Sequence, residues 1–301
     1  MKIKVSVCIT SYNRPQKLYR TLESLSIQTR QPDEVIVSDD CSPNDVTEVI
    51  RRWQGRFANF IYNRNSRNLG MPGNLNLVIS MARGKYIANL HDADEFDPTL
   101  LEKWERALDD HPSAGFVFCG VKGWPYRTRF GNGIILHSVA PLTPGRVFFE
   151  RHMLHRFSSI VWGTVMARRA AYAQLLPFDP AYSFISDVDM WMRMCLHWDV
   201  AYVREPLIIL DNTPTPWRQF RWDRVELMRK MQVENIYRFY AAQPRRLRRE
   251  LLRHQIAAQR FYLGRLLGCI RRRDWAGFRE GCLHCRNLGW PLRLVGGLAR
   301  E

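Results

Sequence analysis

Over its first 125 residues the chain alternates between two hydrophobic periods, and this restricts the fold more than any single motif. Short apolar runs, KVSVCIT, DEVIVSD, FANFIYN, KYIANLH and AGFVFCGV, are separated by PQKLYRTLESLSIQT, PNDVTEVIRRW, GNLNLVISMARG and PTLLEKWERALDDH. The first group reads as strands and the second as helices. In the first helical segment Leu18, Leu22 and Leu25 recur at helical spacing, and Pro15 suits a first turn. Strand and helix in turn predict an α/β fold with a Rossmann-like, mostly parallel sheet flanked by helices. From 125 to 217 the pattern loosens around Gly and Pro, with a helix expected from 187 to about 197. Beyond Trp217 the chain reads as helical, broken at Pro244, with a last helix near 275–287. The expected organisation is an α/β domain over 1–217 and a C-terminal α-helical extension over 218–301.

Composition narrows the class. No stretch approaches the roughly 20 consecutive apolar residues of a membrane span, which excludes an integral membrane protein. The N-terminus runs straight into an alternating strand without a signal-peptide pattern. The 7 cysteines lie mostly in apolar runs, so reduced core thiols and a cytoplasmic setting are expected. The net charge of +16 is unevenly spread: residues 218–301 hold 20 Lys+Arg against 7 Asp+Glu, and residues 1–217 hold 25 against 22. The extension alone is basic, which suggests an anionic partner surface.

In an open parallel sheet, ligands bind beyond the carboxyl ends of the strands. After KVSVCIT comes Ser11-Tyr12-Asn13-Arg14, after EVIVS comes Asp39-Asp40-Cys41-Ser42, and after KYIANL comes His91-Asp92-Ala93-Asp94-Glu95. These strand ends should converge along one edge. HDADEFDP gathers Asp92, Asp94, Glu95 and Asp97, carboxylates that repel one another without a cation. In an extended segment Asp92 and Asp94 would point the same way, a hard-oxygen pair suited to Mg2+ or Mn2+ and substrate phosphates. Asp97-Pro98 reads as the entrance to the next helix.

These motifs together resemble family 2 glycosyltransferases of the GT-A fold. VSVCITSYNRP resembles the family's first strand and donor turn, and VIVSDDCSPNDV its second strand. NLGMPGNLNLVISMARGKYI, HDADEFDP and FDPAYSFISDVDMWMRM resemble the NxG-to-AxGxY run, the DxD motif and the acidic segment before the catalytic helix. The resemblance covers roughly residues 3–210. It implies an inverting enzyme that moves one sugar from a nucleotide-diphosphate sugar to a hydroxyl of a glycan or lipid-linked acceptor, in polysaccharide or cell-envelope biosynthesis.

Carried onto this chain, the resemblance has Thr10 and Tyr12 packing on the nucleotide, with Arg14 approaching the donor. Asp40 would accept a hydrogen bond from the base, which favours a UDP-sugar. Asn76 would lie near the donor, Asp92 would hold the ribose or the metal shell, and Asp94 would bind Mn2+ or Mg2+. Asp187 would be the catalytic base, with Asp189 the competing candidate. Trp162 would either stack on an acceptor sugar or pack in the core.

The chain also departs from the pattern. His91 replaces an apolar residue, Glu95 an Asp, Ser186 a Glu, and Asn74-Leu75 an Ala-Arg pair. Gln219-Phe220-Arg221-Trp222 falls one residue short of the QxxRW motif of processive synthases, so a single addition is expected. A sugar-1-phosphate nucleotidyltransferase would need a Gly-rich, Lys-containing loop after the first strand, which ITSYNRP lacks. A non-catalytic binder of nucleotide sugars or anionic polymers would have no need of Asp92, Asp94 and Asp187 together. Cys282 and Cys285 lack the second pair of a zinc site.

The arginines of 245–273, with leucines among them, read two ways. They form either a basic amphipathic helix on the inner face of an anionic membrane or leucines packed on protein with solvated arginines. Nucleic acid is disfavoured because stacking aromatics are sparse there.

Overall fold

The computed structural model describes residues 3–122, 133–161, 163–175, 177–211 and 221–285. Strands β1 (Val5–Ser11), β2 (Glu34–Asp39), β3 (Phe60–Arg64) and β4 (Tyr86–His91) are joined by helices α1 (Pro15–Ser26), α2 (Thr47–Gln54) and α3 (Gly70–Met81). Then follow β5 (Glu95–Phe96), α4 (Leu100–Asp110), β6 (Ala114–Lys122), β7 (Gly133–Ile134), β8 (Leu142–Thr143) and α5 (Gly145–Phe148). After a π-helical turn over Phe149–Met153 come β9 (Val165–Arg168), α6 (Arg169–Leu175), a 3-10 stretch Pro180–Ile185, α7 (Ser186–Met194) and β10 (Asp199–Ile209).

The sheet runs β3-β2-β1-β4-β9-β6-β10-β5, with β7 beside β6 and β8 beside β10. β1 pairs in parallel with β2 and β4, as the alternating sequence requires. In the middle of the sheet β9 is reversed, antiparallel to both β4 and β6, and the short strands β5, β7 and β8 also pair antiparallel. A parallel neighbour needs a crossover of a dozen residues or more, usually helical, and the described residues between β6 and β9 hold only short helical turns.

Leu18, Leu22 and Leu25 of α1 and Leu100, Trp104 and Leu108 of α4 join Val5, Val7, Val35 and Val37 in one core. Each such side chain contributes about 1.5–3 kcal/mol on burial. α7 is enclosed more completely: Met190, Trp191, Met192 and Met194 are all buried, so its alternating methionines are packing.

Register decides where the polar residues go. Ser11 lies opposite Asp39, and Thr10 opposite His91, so β1, β2 and β4 end at one level. Just past that level Asn13 (φ 58°) and Cys41 (φ 61°) adopt left-handed conformations that reverse the chain. Asn, with a short side chain able to bond locally, tolerates this better than most residues.

A second compact unit combines Glu150–Ile160 with Pro214–Glu301. Its helices are α8 (Trp222–Tyr240), α9 (Pro244–Arg272) and α10 (Trp275–Cys285). The 150–160 segment is held there by Gln232, buried on α8. Its Nε2 donates to the carbonyls of Met153 (2.8 Å) and Arg156 (3.0 Å), and its Oε1 accepts from His155 N (3.1 Å). Cys282 and Cys285 are buried in this unit's core with Trp222 and Tyr262, and are free thiols.

Candidate active site

The turn after β1 is built on Asp92. Ser11 Oγ (2.9 Å) and Tyr12 N (3.3 Å) donate to its Oδ2, and Arg14 Nη1 lies 3.1 Å from Oδ1. Burial pushes this carboxyl above its ordinary range, against the pull of Arg14 and Ser11. Thr10 is half-buried at the strand end, and Tyr12 stands exposed beside it.

The second strand end is a polar network. Asp39 Oδ1 accepts from Ser42 N (3.0 Å), and its Oδ2 from Arg64 Nη1 (2.8 Å) and Tyr62 OH (3.1 Å). Asp40 Oδ1 accepts from Asn65 Nδ2 (2.9 Å) and Leu69 N (2.8 Å). Asn65 also donates to Asn74 Oδ1 (3.0 Å), and Asn74 in turn donates to Ser38 O (2.9 Å). The sequence reading names neither Asn65 nor Asn74 as a site residue. Their signal is polar side chains in NRNSRNLG and in an otherwise apolar helix.

The third strand end differs from expectation. Asp92 and Asp94 do not project together, because β4 ends at His91 and the next residues form a turn closed by Asp94 N donating to His91 O (3.4 Å). Asp211 N donates to Asp94 Oδ1 (3.2 Å), and His91 Nδ1 lies 3.6 Å from Asp94 Oδ2. Asp97, as expected, organises the entrance to α4 by accepting from Thr99 N at 3.1 Å.

The other edge of His91 borders Gly163, as does Asp187. A Cβ built on Gly163 would stand 2.7 Å from His91 Cε1 and 2.8 Å from Asp187 Oδ2, so imidazole and carboxylate close on the same backbone point. Gly163 is held there by Asn89, a buried polar residue of β4 whose Nδ2 donates to its carbonyl (2.8 Å). Asp187 lies in the first turn of α7, and Val188 N donates to its Oδ1 (2.8 Å). Burial raises its pKa to about 6, and the neighbouring His91 opposes the rise. His91 is itself shifted upward: partial desolvation works against its protonated form, and the carboxylates of Asp94, Asp187 and Asp92 outweigh that.

Asp189 is engaged elsewhere. It is fully buried, and Arg193 Nε donates to its Oδ2 at 2.7 Å. Asn76 spends both ends of its amide on Phe178, donating to its carbonyl (3.0 Å) and accepting from its N–H (2.7 Å). That contact anchors the chain leading into α7. Trp162 lies outside the described residues.

The site can be tested for fit to a divalent ion. Among the described residues no three His, Cys, Asp or Glu side chains surround one point. Asp94 Oδ2 has only His91 near it, and only at 3.6 Å. A buried carboxylate oxygen that accepts no hydrogen bond among the described residues, beside a strand end, fits Mg2+ or Mn2+, which keep waters and take substrate phosphates as ligands. It does not fit a closed structural zinc centre.

Comparison with known proteins agrees with this geometry. The model of Glycosyl transferase family 2 matches residues 6–174. An uncharacterized glycosyltransferase of Methanocaldococcus jannaschii is 27% identical over 245 residues, 78% of this chain and 77% of the relative. A shorter match, 34% over 92 residues, covers 31% of this chain and 36% of the UDP-Glc:alpha-D-GlcNAc-diphosphoundecaprenol beta-1,3-glucosyltransferase of Escherichia coli.

Among solved structures, TarS 1–349 of S. aureus in complex with UDP-GlcNAc superposes with a TM-score of 0.67 at 17% identity, over 97% of this chain and 84% of that one. The mannosyltransferase PcManGT of Pyrobaculum calidifontis, in complex with GDP-Man and Mn2+, gives 0.55 at 15% identity, over 96% and 88%. At such identities the structures speak for the fold alone. The family model spans more than half of the chain and includes three strand ends and the DxD turn. The chain therefore belongs to glycosyl transferase family 2 and is a glycosyltransferase with the GT-A architecture.

Proposed function

We propose that the enzyme inverts configuration as it moves one sugar from a nucleotide-diphosphate sugar, a UDP-sugar by preference, to a hydroxyl of a glycan or lipid-linked acceptor. The observation that carries this reading is Asp187: a half-buried carboxylate raised to about 6, sharing the Gly163 contact with His91. An acceptor hydroxyl is a poor nucleophile until it loses its proton, and a positioned carboxylate of this basicity suits that task. In one displacement the acceptor oxygen bonds to the anomeric carbon and its proton passes to Asp187. The bond to the phosphate oxygen breaks, and the nucleoside diphosphate leaves with that electron pair. Asp94 would hold Mn2+ or Mg2+ with the donor's phosphates, and when bound the ion supplies charge to the leaving diphosphate.

On the donor side Thr10 and the exposed Tyr12 would pack on the nucleotide, with Arg14 and Asp92 framing the ribose. Asp40 Oδ2 accepts no hydrogen bond among the described residues and would take the N–H of uracil. Asn76, its amide engaged by Phe178, would serve the site by holding the chain that leads into α7, and Trp162 would line the acceptor pocket. The UDP-sugar names of the E. coli and S. aureus proteins support the choice of nucleotide. The diphosphoundecaprenol substrate in the E. coli name also supports a lipid-linked acceptor, which would set the reaction beside a membrane. No helix among the described residues is long and apolar enough to cross one.

The test is nucleotide release across a panel of UDP-, GDP- and CDP-sugars with mixed glycan and lipid-linked acceptors. UDP release from a UDP-sugar, abolished in Asp187→Asn, is expected. Preferential GDP release overturns the nucleotide, and release unaffected by Asp187→Asn overturns the base.

A further inference from the structure

Helix α9 has two faces of different use. Glu250, His254, Ala258, Tyr262, Leu266 and Cys269 recur at intervals of three or four and are buried in the helix's own unit. Leu252, Ile256, Leu263, Leu267 and Ile270 are 58, 40, 48, 46 and 41% exposed. At 3.6 residues per turn these five fall within about 60° of one another, on the side away from the buried set. The leucines of the basic segment therefore divide: Leu266 packs, and Leu252, Leu263 and Leu267 form a ridge in solvent.

Arginines flank that ridge. Among the described residues Arg245, Arg248, Arg260 and Arg271 pair with no carboxylate. The helix's one acid, Glu250, is buried and already engaged by His155, Arg249 and Arg253. A second copy of the chain on this face would bring arginine against arginine with no acid to answer. A nucleic acid would satisfy the arginines and leave the leucines in water. An anionic bilayer satisfies both, since acyl chains take the ridge and headgroup phosphates take the guanidiniums.

We propose that this face of α9 docks flat on an anionic membrane leaflet, with lipid phosphates as the ligands of its arginines. This deepens the membrane-side setting of the proposed function, but it needs no turnover. Vesicle binding and donor binding can therefore fail separately.

The experiment is co-sedimentation of the full-length protein with phosphatidylcholine vesicles, with and without about a third phosphatidylglycerol. Binding to the anionic vesicles should be at least about tenfold tighter and should be lost at high salt. Leu252→Asn/Leu263→Asn/Leu267→Asn should weaken it by about tenfold or more. Ile27→Asn, at an exposed apolar residue of the other unit, should not. UDP binding by calorimetry should be unchanged in all variants. If the triple variant does not fold, Arg248→Gln/Arg260→Gln/Arg271→Gln replaces it and should lower binding to anionic vesicles several-fold. Wild-type binding by the folded variant, or equal binding to neutral and anionic vesicles, overturns the proposal. So does a lipid-free dimer that the variant loses, since the occupant is then a second copy.

Discussion

Asp187 and His91 both border Gly163: a Cβ there would overlap the Nε2–Cε1 edge of the His91 imidazole and stand 2.8 Å from Asp187 Oδ2. The glycine is thus required for close approach and not for an unusual backbone angle. His91 borders Gly163 with one edge, and its Nδ1 lies 3.6 Å from Asp94 Oδ2, so one ring stands between the two carboxylates.

Gly163→Ala should therefore act on chemistry before binding. A methyl group there must push one partner aside, and a displacement of about 1 Å at a reacting group can cost about 10²-fold in rate. Steady-state kinetics should give kcat lower by about 10–100-fold, with calorimetric affinity for UDP kept within about threefold. An equal loss in both would mean that the glycine supports the donor site instead.

The pH profile should carry the signature of Asp187. With its carboxyl raised to about 6 by burial, kcat/KM should fall as pH drops through about 6. Stability runs the other way. The charged form is penalised in the folded chain, so the penalty is absent below the ordinary value of 3.8 and complete above about 6. Asp187→Asn should accordingly be more stable than wild type at pH 8, by about 1–2 kcal/mol after allowance for solvent screening. Denaturant titration should show that gain shrinking toward pH 4.

Asp189 should behave as a structural residue. Its fully buried carboxylate is neutralised by Arg193 at 2.7 Å, and Arg193 also donates to Pro177 O at 2.9 Å. Removing one partner of a buried pair costs about 3–5 kcal/mol. Asp189→Asn should lower Tm by many degrees, and the fraction that stays folded should retain most of its kcat. A stable but inactive Asp189→Asn would move the base two residues along α7.

Asp94→Asn should abolish turnover, and EDTA should do so reversibly with Mn2+ or Mg2+ restoring it. Asp94 Oδ2 accepts no hydrogen bond among the described residues, and in the proposed reaction the leaving diphosphate would need neutralising charge. Full activity after exhaustive chelation would remove the metal from the account.

Much of this was readable from strand patterning. Parallel strands of matched length end together, so the sequence pattern alone aligns Ser11, Asp39 and His91. What patterning misses depends on contacts between distant segments. Asn89 reaches Gly163, and Asn65 joins Asp40 to Asn74. Asp92 and Ala93 form a turn where the pattern suggests an extended segment, because nothing in HDADEFDP says where β4 loses its partner. In α9, composition shows leucines among arginines, but only packing within its own unit separates Leu266 from Leu263 and Leu267.

The most direct test of the account is Asp187→Asn, assayed for both donor binding and turnover. The account predicts UDP and UDP-sugar affinities close to wild type, with kcat lower by at least about 10²-fold, the scale of a lost general base. A variant that binds the donor normally and turns over at the wild-type rate would contradict it.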